Sequence, residues 1–366
     1  MRPIGLYIHI PFCDGKCRYC SFFSEKRDDA AMDAYTDQVI EAIRAWGKKI
    51  DRSIKTVYFG GGTPSLLGHQ RLIRILNHVK ESFKVEKDAQ ITIEVNPSSS
   101  DKLDYTALLH AGVNRLSIGL QSANDDELQM LGRRHRVIDV EHTVKAAQDA
   151  GYDNISLDVM LAIPGQTTAS LERTLGFCAS LNVQHISAYI LKIEEGTPFW
   201  QDKLNLFNDD QQAAFYEYTV RRLHALGYEQ YEISNFARSG KVSLHNLLYW
   251  RDEEYLGIGP SAHSFLDGRR FYYPDSFEDF SSGVIAEEGI GGDKEEYIML
   301  ALRLTEGLIF VRYRERFHED ISDRFLTAAK KLTDSGYAVL TDTSVSLTTK
   351  GFLVSNSVIG YLLENT

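Results

Sequence analysis

Short runs of β-branched and aliphatic residues alternate, over the first half of the chain, with longer stretches whose apolar residues fall three and four apart. The runs are LYIHI, TVYFGGG, ITIEVNP, RLSIGLQS, NISLDVMLAIP and HISAYILKI. Between them lie MDAYTDQVIEAIRAWGKK, HQRLIRILNHVKESF, KLDYTALLHAG, DVEHTVKAAQDAG and SLERTLGFCASL. The first pattern predicts strands, the second helices with one apolar face turned toward a sheet. Strict alternation of the two predicts a parallel sheet with right-handed crossovers. Eight such units would close a full barrel. Six predict an open, partial (β/α)6 barrel, with a doubly wound sheet as the alternative.

Polar and glycine residues interrupt these strands at their C-terminal ends. A triple glycine follows TVYF, Glu94 ends ITIE, Gln121 ends LSIGL, and Asp158 lies in SLDVM. Taken singly, each has a local explanation as a turn or a cap. Four successive strands ending this way point to a site at the C-terminal face, where barrels of this kind carry their chemistry.

A seventh helix is predicted in DDQQAAFYEYTVRRLHALG, so residues 1–240 read as the barrel unit. Residues 241–292 are rich in Gly, Ser, Asp and aromatics and read as an irregular linker. From 293 the texture changes. DKEEYIMLALRLTEG and DISDRFLTAAKKLTDSG predict helices, YAVLTDTSVSLTTKG a hairpin, and FLVSNSVIGYLL a closing helix. Helices followed by a two-stranded wing predict a small winged-helix-like α+β domain over 293–366.

Composition narrows the function. Apolar residues make up 43% and charged residues 25%, enough to bury a sizeable core in a soluble chain. A formal net charge of −11, with no lysine or arginine cluster, argues against nucleic acid as a partner, and the wing carries almost no basic charge. Packing or partner docking is the expected role of that domain. No run of 18 apolar residues occurs, and MRPIGLYIHIPFC enters a strand pattern without a cleavage site. The expected location is the cytoplasm. There, clustered cysteines signal metal or redox chemistry rather than disulfides. Cys178, in TLGFCASL, falls on a helix's apolar face and reads as packing.

Cys13, Cys17 and Cys20 have the spacing C-x3-C-x2-C. Structural zinc sites usually pair a C-x2-C clip with a second clip, and the chain has none; His9 stands too close behind on a strand to complete the set. An iron–sulfur cube fits better. A [4Fe–4S] cluster normally takes four thiolates, so three leave one iron open to a small chelating molecule. S-adenosylmethionine, with an amine and a carboxylate on its methionine end, suits that iron, and an electron from the cluster would split its carbon–sulfur bond to release a 5'-deoxyadenosyl radical.

The spacing, placed after the first of six strands, resembles the radical SAM superfamily, whose usual fold is a partial (β/α)6 barrel. YIHIPFCDGKCRYCSF, YFGGGTPSLL, IEVNP, RLSIGLQS, LGRRH and DVMLAIPGQT resemble the branch containing oxygen-independent coproporphyrinogen III oxidase. The resemblance implies that Cys13, Cys17 and Cys20 hold the cluster, with Tyr7 and Tyr19 packed beside it. It further implies that Gly61, Gly62, Thr63, Glu94, Gln121, Arg133 and Asp158 form the S-adenosylmethionine pocket. Arg133 suits a carboxylate, while Glu94 and Asp158 suit ribose hydroxyls or an ammonium.

Two departures separate the chain from the oxidase. Phe22 stands where the oxidase carries a fourth cysteine, and the first cysteine already falls at position 13, without the oxidase's N-terminal extension. Both resemble the HemW family, described as haem chaperones. HNLLYW matches that family's H-N-x-x-Y-W pattern, which implies haem binding through His245, Asn246, Tyr249 and Trp250. A neutral imidazole is a good axial ligand, Tyr249 and Trp250 offer flat apolar surface, and Asn246 would orient the ring or its ligand. His263, in GPSAHSF, reads as loop support. The expectation is a chaperone that holds a [4Fe–4S] cluster, S-adenosylmethionine and haem and delivers haem to haem-requiring proteins, with no residue assigned a catalytic role. The alternatives are the oxidase itself, converting propionates to vinyl groups, and a cluster-stabilised binding protein that never cleaves S-adenosylmethionine. A flavodoxin- or ferredoxin-like electron donor and a homodimer complete the expected partners.

Overall fold

Six strands follow one another in chain order and pair in parallel, each with the next. They are β1 (Ile4–Ile10), β2 (Ile54–Gly61), β3 (Val85–Val95), β4 (Arg115–Gln121), β5 (Ile155–Leu161) and β6 (His185–Ile190). The computed structural model describes residues 2–202 and 204–366. Because the order never reverses, the sheet has no switch point, and the partial barrel stands over the doubly wound alternative. Alternation sets the two faces. In β1, Leu6, Ile8 and Ile10 are fully buried beneath helices, while Gly5, Tyr7 and His9 share the opposite, lumenal face. In β5, Ile155, Leu157, Val159 and Leu161 face the helices, which leaves Ser156, Asp158 and Met160 for the lumen.

Helices lie where the three-four spacing put them, including Asp29–Gly47, His69–Ser82, Val137–Asp149 and Thr168–Ser180. The helix Asp209–Ala225 shows why the sequence starts one there. Asn208 accepts from the backbone N–H of Gln211 at 2.9 Å, and the Gln211 side chain accepts from the N–H of Asn208 at 3.0 Å, satisfying two donors that a helix start leaves free. Cys178 is fully buried, and burial pushes its thiol well up, as a packing role requires.

The stretch 241–292 departs from the irregular linker expected of it. It holds a helix, Leu244–Trp250, and four strands: β9 (Tyr255–Ile258), β10 (His263–Leu266), β11 (Arg269–Tyr272) and β12 (Ala286–Ile290). β9 adds in parallel to the free edge of β1, and β10 to β12 continue the sheet antiparallel. Two short strands, β7 (Glu229–Gln230) and β8 (Asn235–Ala237), extend the other edge from β6, giving twelve strands in all. β9 to β12 are four or five residues long, and β9 finds its partner nearly the whole barrel away in sequence, so no local period announces them.

Gly257 holds this extension close. It sits opposite Tyr7 across the β1–β9 pair, and a Cβ there would lie 2.2 Å from the carbonyl oxygen of His263, a backbone atom that cannot step aside. Gly257→Ala should therefore destabilise the protein by about 3 kcal/mol, read as a lower urea midpoint at unchanged slope.

The C-terminal unit carries helices Lys294–Ala301, Phe310–Phe317, Asp323–Asp334, Thr349–Leu353 and Ser355–Leu363 around a three-stranded sheet. That sheet runs β13 (Leu308–Ile309), β15 (Ser344–Leu347), β14 (Ala338–Leu340), the last two forming the expected hairpin. No helix among the described residues is long and apolar enough to cross a membrane.

Candidate functional site

The cysteine loop leaves β1 at the C-terminal end of the barrel and is tied down along its length. Pro11 accepts from the N–H of Glu25 at 2.9 Å, and Cys13 donates back to the carbonyl of Glu25 at 3.1 Å, closing the loop's base. Arg18 donates its N–H to Leu131 and accepts from Phe199; its guanidinium lies over the Phe199 ring and pairs with Asp202 at 2.6 Å. These ties hold three partly exposed thiols over the barrel mouth. No three His, Cys, Asp or Glu side chains among the described residues gather as ligands of a single ion.

The residues expected to take S-adenosylmethionine come together here. The Thr63 hydroxyl points to the Cys13 sulfur at 3.7 Å, and Arg133 Nη1 to the Cys17 sulfur at 3.7 Å. The other arm of Arg133 donates to the Gly119 carbonyl at 3.0 Å and to Asn96 at 3.4 Å. Tyr19 stands beside Arg133 in a small second core with Leu131, Met160, Ile163, Leu191 and Phe199. Gln121 ends β4 at a break in register with φ 67, a left-handed conformation that a residue other than glycine rarely holds. Such stored strain is common beside functional sites.

The triple glycine is demanded by close approach. Gly61 has φ 115, and a Cβ there would fall 2.6 Å from the His9 imidazole; one on Gly62 would fall 2.6 Å from the Phe12 carbonyl. The bare turn lets the Gly61 N–H donate to Glu94 at 3.2 Å. Tyr58 donates to the other Glu94 oxygen at 2.9 Å. Burial, and then the charge of Asp158, raise the Glu94 pKa to about 7 against those hydrogen bonds. Asp158 accepts from Ser117 at 3.3 Å and is likewise raised by burial. Tyr7 lies lower in the lumen. The Phe23 carbonyl can only accept, so His9 Nε2 carries the proton, and His9 Nδ1 accepts from the Tyr7 hydroxyl at 3.0 Å.

The HNLLYW segment lies elsewhere and does not converge on one point. Its helix closes the opposite, N-terminal end of the barrel. His245 is 1% exposed, and both ring nitrogens are engaged: Nδ1 with Thr56 Oγ1 at 2.7 Å and Nε2 with the Tyr249 hydroxyl at 2.8 Å. Its ring stacks on Tyr58 at 5.0 Å, and burial followed by the charge of Arg115 lowers its pKa to about 3. His245 and Tyr249 therefore share a face. Asn246 and Trp250 lie on the next one, where Trp250 carries the Arg303 guanidinium over its ring. The four side chains do not share one face of this helix, because successive residues point about 100° apart. His263 faces outward, stacked on Tyr272 and 3.2 Å from Glu288.

Sequence reasoning weighed His9 only as a fourth metal ligand and passed over Tyr58, Asn96 and Arg115. Strand alternation could have found three of them, since His9 follows Tyr7, Tyr58 follows Thr56, and Arg115 precedes Ser117 at the period of two.

Behind the same helix, Glu232 is 1% exposed and its Oε2 has no partner among the described residues, while Oε1 accepts from Ser234 at 3.2 Å. Burial raises its pKa from 4.5 to about 7. The folded state thus holds this proton more tightly than the unfolded chain does. The associated stability is fully present below pH 4.5 and is lost as pH rises through 7. Glu232→Gln should match the parent protein in urea unfolding at pH 4.5 and exceed it by roughly 3 kcal/mol at pH 8.

A six-stranded partial barrel with three thiols on the loop after its first strand defines a radical SAM protein, and the family model described as Radical SAM superfamily matches residues 7–178. A second model, HemN C-terminal domain, matches 294–354. The chain is 34% identical to the heme chaperone HemW of Bacillus subtilis (strain 168) over 98% of both chains. It is 38% identical to the heme chaperone HemW of Escherichia coli (strain K12), over 74% of this chain and 72% of that one. The chain belongs to the HemW family of the radical SAM superfamily. The solved structure of Escherichia coli coproporphyrinogen III oxidase (HemN) aligns over 99% of this chain and 90% of its own, with a TM-score of 0.84 and 23% identity, a likeness of fold.

Proposed function

We propose that the protein is a cytoplasmic haem chaperone that binds a [4Fe–4S] cluster through Cys13, Cys17 and Cys20, S-adenosylmethionine at the iron those thiolates leave open, and haem, which it passes to haem-requiring proteins. The observation that carries this reading is likeness along 98% of both chains to a protein named as a heme chaperone. Phe22, 64% exposed where the oxidase carries a further cysteine, supports it.

The residues present fit the cofactors. When bound, a cube of this kind supplies an open iron and a low-potential electron. The chain supplies the rest. Arg133 offers a rigid fork of donors for a carboxylate, already held by Gly119 and Asn96. The Gly61–Gly62 turn offers backbone groups to the methionine end, and Glu94 and Asp158 offer acceptors for an ammonium or ribose hydroxyls. Glu94 changes charge near neutrality, so S-adenosylmethionine binding should strengthen between pH 6 and 8. A flavodoxin- or ferredoxin-like donor and a homodimer remain part of the proposal.

The deciding experiment is anaerobic. Reconstituted protein receives S-adenosylmethionine, reductant and coproporphyrinogen III, and in parallel haem-loaded protein receives an apo-haem protein. Haem transfer without vinyl product is the expected outcome. Protoporphyrinogen formation would replace the chaperone reading with the oxidase.

A further inference from the structure

The barrel floor holds a buried guanidinium without a salt bridge among the described residues. Arg115 is 2% exposed, forms no salt bridge among the described residues, and its Nε has no hydrogen-bond partner. Its cross-strand neighbour Thr92 is fully buried, and the Thr92 hydroxyl is equally unpartnered. A third orphan, the Ser243 hydroxyl, closes the same end. Buried polar groups are rarely left so, because an unpaired hydroxyl and above all an unpaired charge are costly to desolvate. Three of them at one end of one lumen mark a place built for a polar group that the polypeptide does not supply.

The cover over that place is the segment bearing His245. Gln90 reaches it from β3, donating to the Val242 carbonyl at 3.0 Å and accepting from the Leu244 N–H at 2.8 Å. Tyr231 accepts from the Ser243 N–H at 3.1 Å, and Thr56 meets His245. Below, Leu248 packs so closely on Gly5 that a Cβ there would fall 2.4 Å from its methyl. Arg115 forms no direct pair among the described residues, yet lies near enough to the carboxylates of Glu94 and Asp158 and to Tyr58, His185, Tyr231 and His245 for its charge to act on all six. With the segment seated, His245 has no free lone pair for iron and Arg115 no route to a ligand. With it lifted, an imidazole and an unpaired guanidinium open side by side.

We propose that Arg115 is a propionate-binding residue for haem, uncovered together with His245 when the segment 242–250 lifts from the barrel floor. The proposal rests on the haem reading above and deepens it. Haem offers an iron for one of these side chains and a carboxylate for the other, and a planar guanidinium fork is the partner a carboxylate prefers. The carboxylate of S-adenosylmethionine is a different anion. Arg133 already faces it at the other end of the lumen.

Titration of the full-length protein with haem and with haem dimethyl ester, whose propionates are blocked, tests this by absorption. The parent protein should bind haem at least tenfold more tightly than the ester. Arg115→Met should erase that preference with cluster iron content unchanged, and Arg115→Lys, which keeps the charge and loses the fork, should fall between them. Equal binding of haem and ester by the parent protein overturns the proposal even if the Met variant fails to fold. So does an Arg115→Met protein that still prefers haem, which would make Arg115 a hydrated structural cation. Loss of S-adenosylmethionine binding with haem binding intact would assign the site to that ligand. A parent protein that binds neither porphyrin contradicts the haem reading itself.

Discussion

Replacing Cys13, Cys17 and Cys20 together with alanine should abolish cluster assembly, with iron and sulfide falling from about four each per chain to none after anaerobic reconstitution. S-adenosylmethionine binding should be lost with them, because the proposed open iron would anchor its amine and carboxylate. The fold should survive. The three thiols lie on a loop outside the buried core, which is built from the strand and helix faces, and the loop's ties to Glu25, Leu131 and Phe199 run through backbone atoms that alanine retains. Far-ultraviolet circular dichroism and the thermal midpoint should therefore stay close to those of the cluster-free parent. An alanine variant that still assembles a four-iron cluster would show that other side chains hold it.

Arg133→Met should weaken S-adenosylmethionine binding by about 10- to 100-fold with iron content unchanged. A charge-assisted hydrogen bond contributes about 1.5–3 kcal/mol, and methionine keeps the stem while removing the fork. Arg133→Lys should recover part of the loss, since one ammonium cannot make both of the fork's contacts. Because Arg133 also touches the Cys17 sulfur, iron must be counted in the same samples. A Met variant with parent-like affinity and a full cluster would remove Arg133 from the pocket.

How much of this was legible in the sequence depends on the reach of the signal. The six barrel strands and their helices are local patterns, and each period of two or of three and four could be read without its partner. The same holds for Asn208 and Gln211, whose capping box is written in four residues. The cysteine spacing is local too, and Glu94, Gln121 and Asp158 became visible because strand ends in a parallel barrel meet at one face whatever their separation, whereas Thr63 and Arg133 entered through the family resemblance. By contrast, β9 owes its existence to an edge of β1 some 250 residues earlier, and four residues cannot establish a period of two. The HNLLYW residues form a unit through their match to the family's H-N-x-x-Y-W pattern. A helix separates neighbours, so His245 and Tyr249 turn into the lumen while Trp250 turns to Arg303. Arg115 was hidden by its own strand, RLSIGLQS, where an arginine at the first position reads as a solvated strand end until the sheet curls around it.

The central claim is that three thiolates hold a cube whose remaining iron is open to S-adenosylmethionine. Electron paramagnetic resonance of the anaerobically reduced protein, recorded before and after adding S-adenosylmethionine, addresses it most directly. The account predicts a reduced [4Fe–4S] signal whose g-values shift when S-adenosylmethionine binds. A signal indifferent to S-adenosylmethionine, or a protein that carries zinc and gives no signal at all, would contradict it.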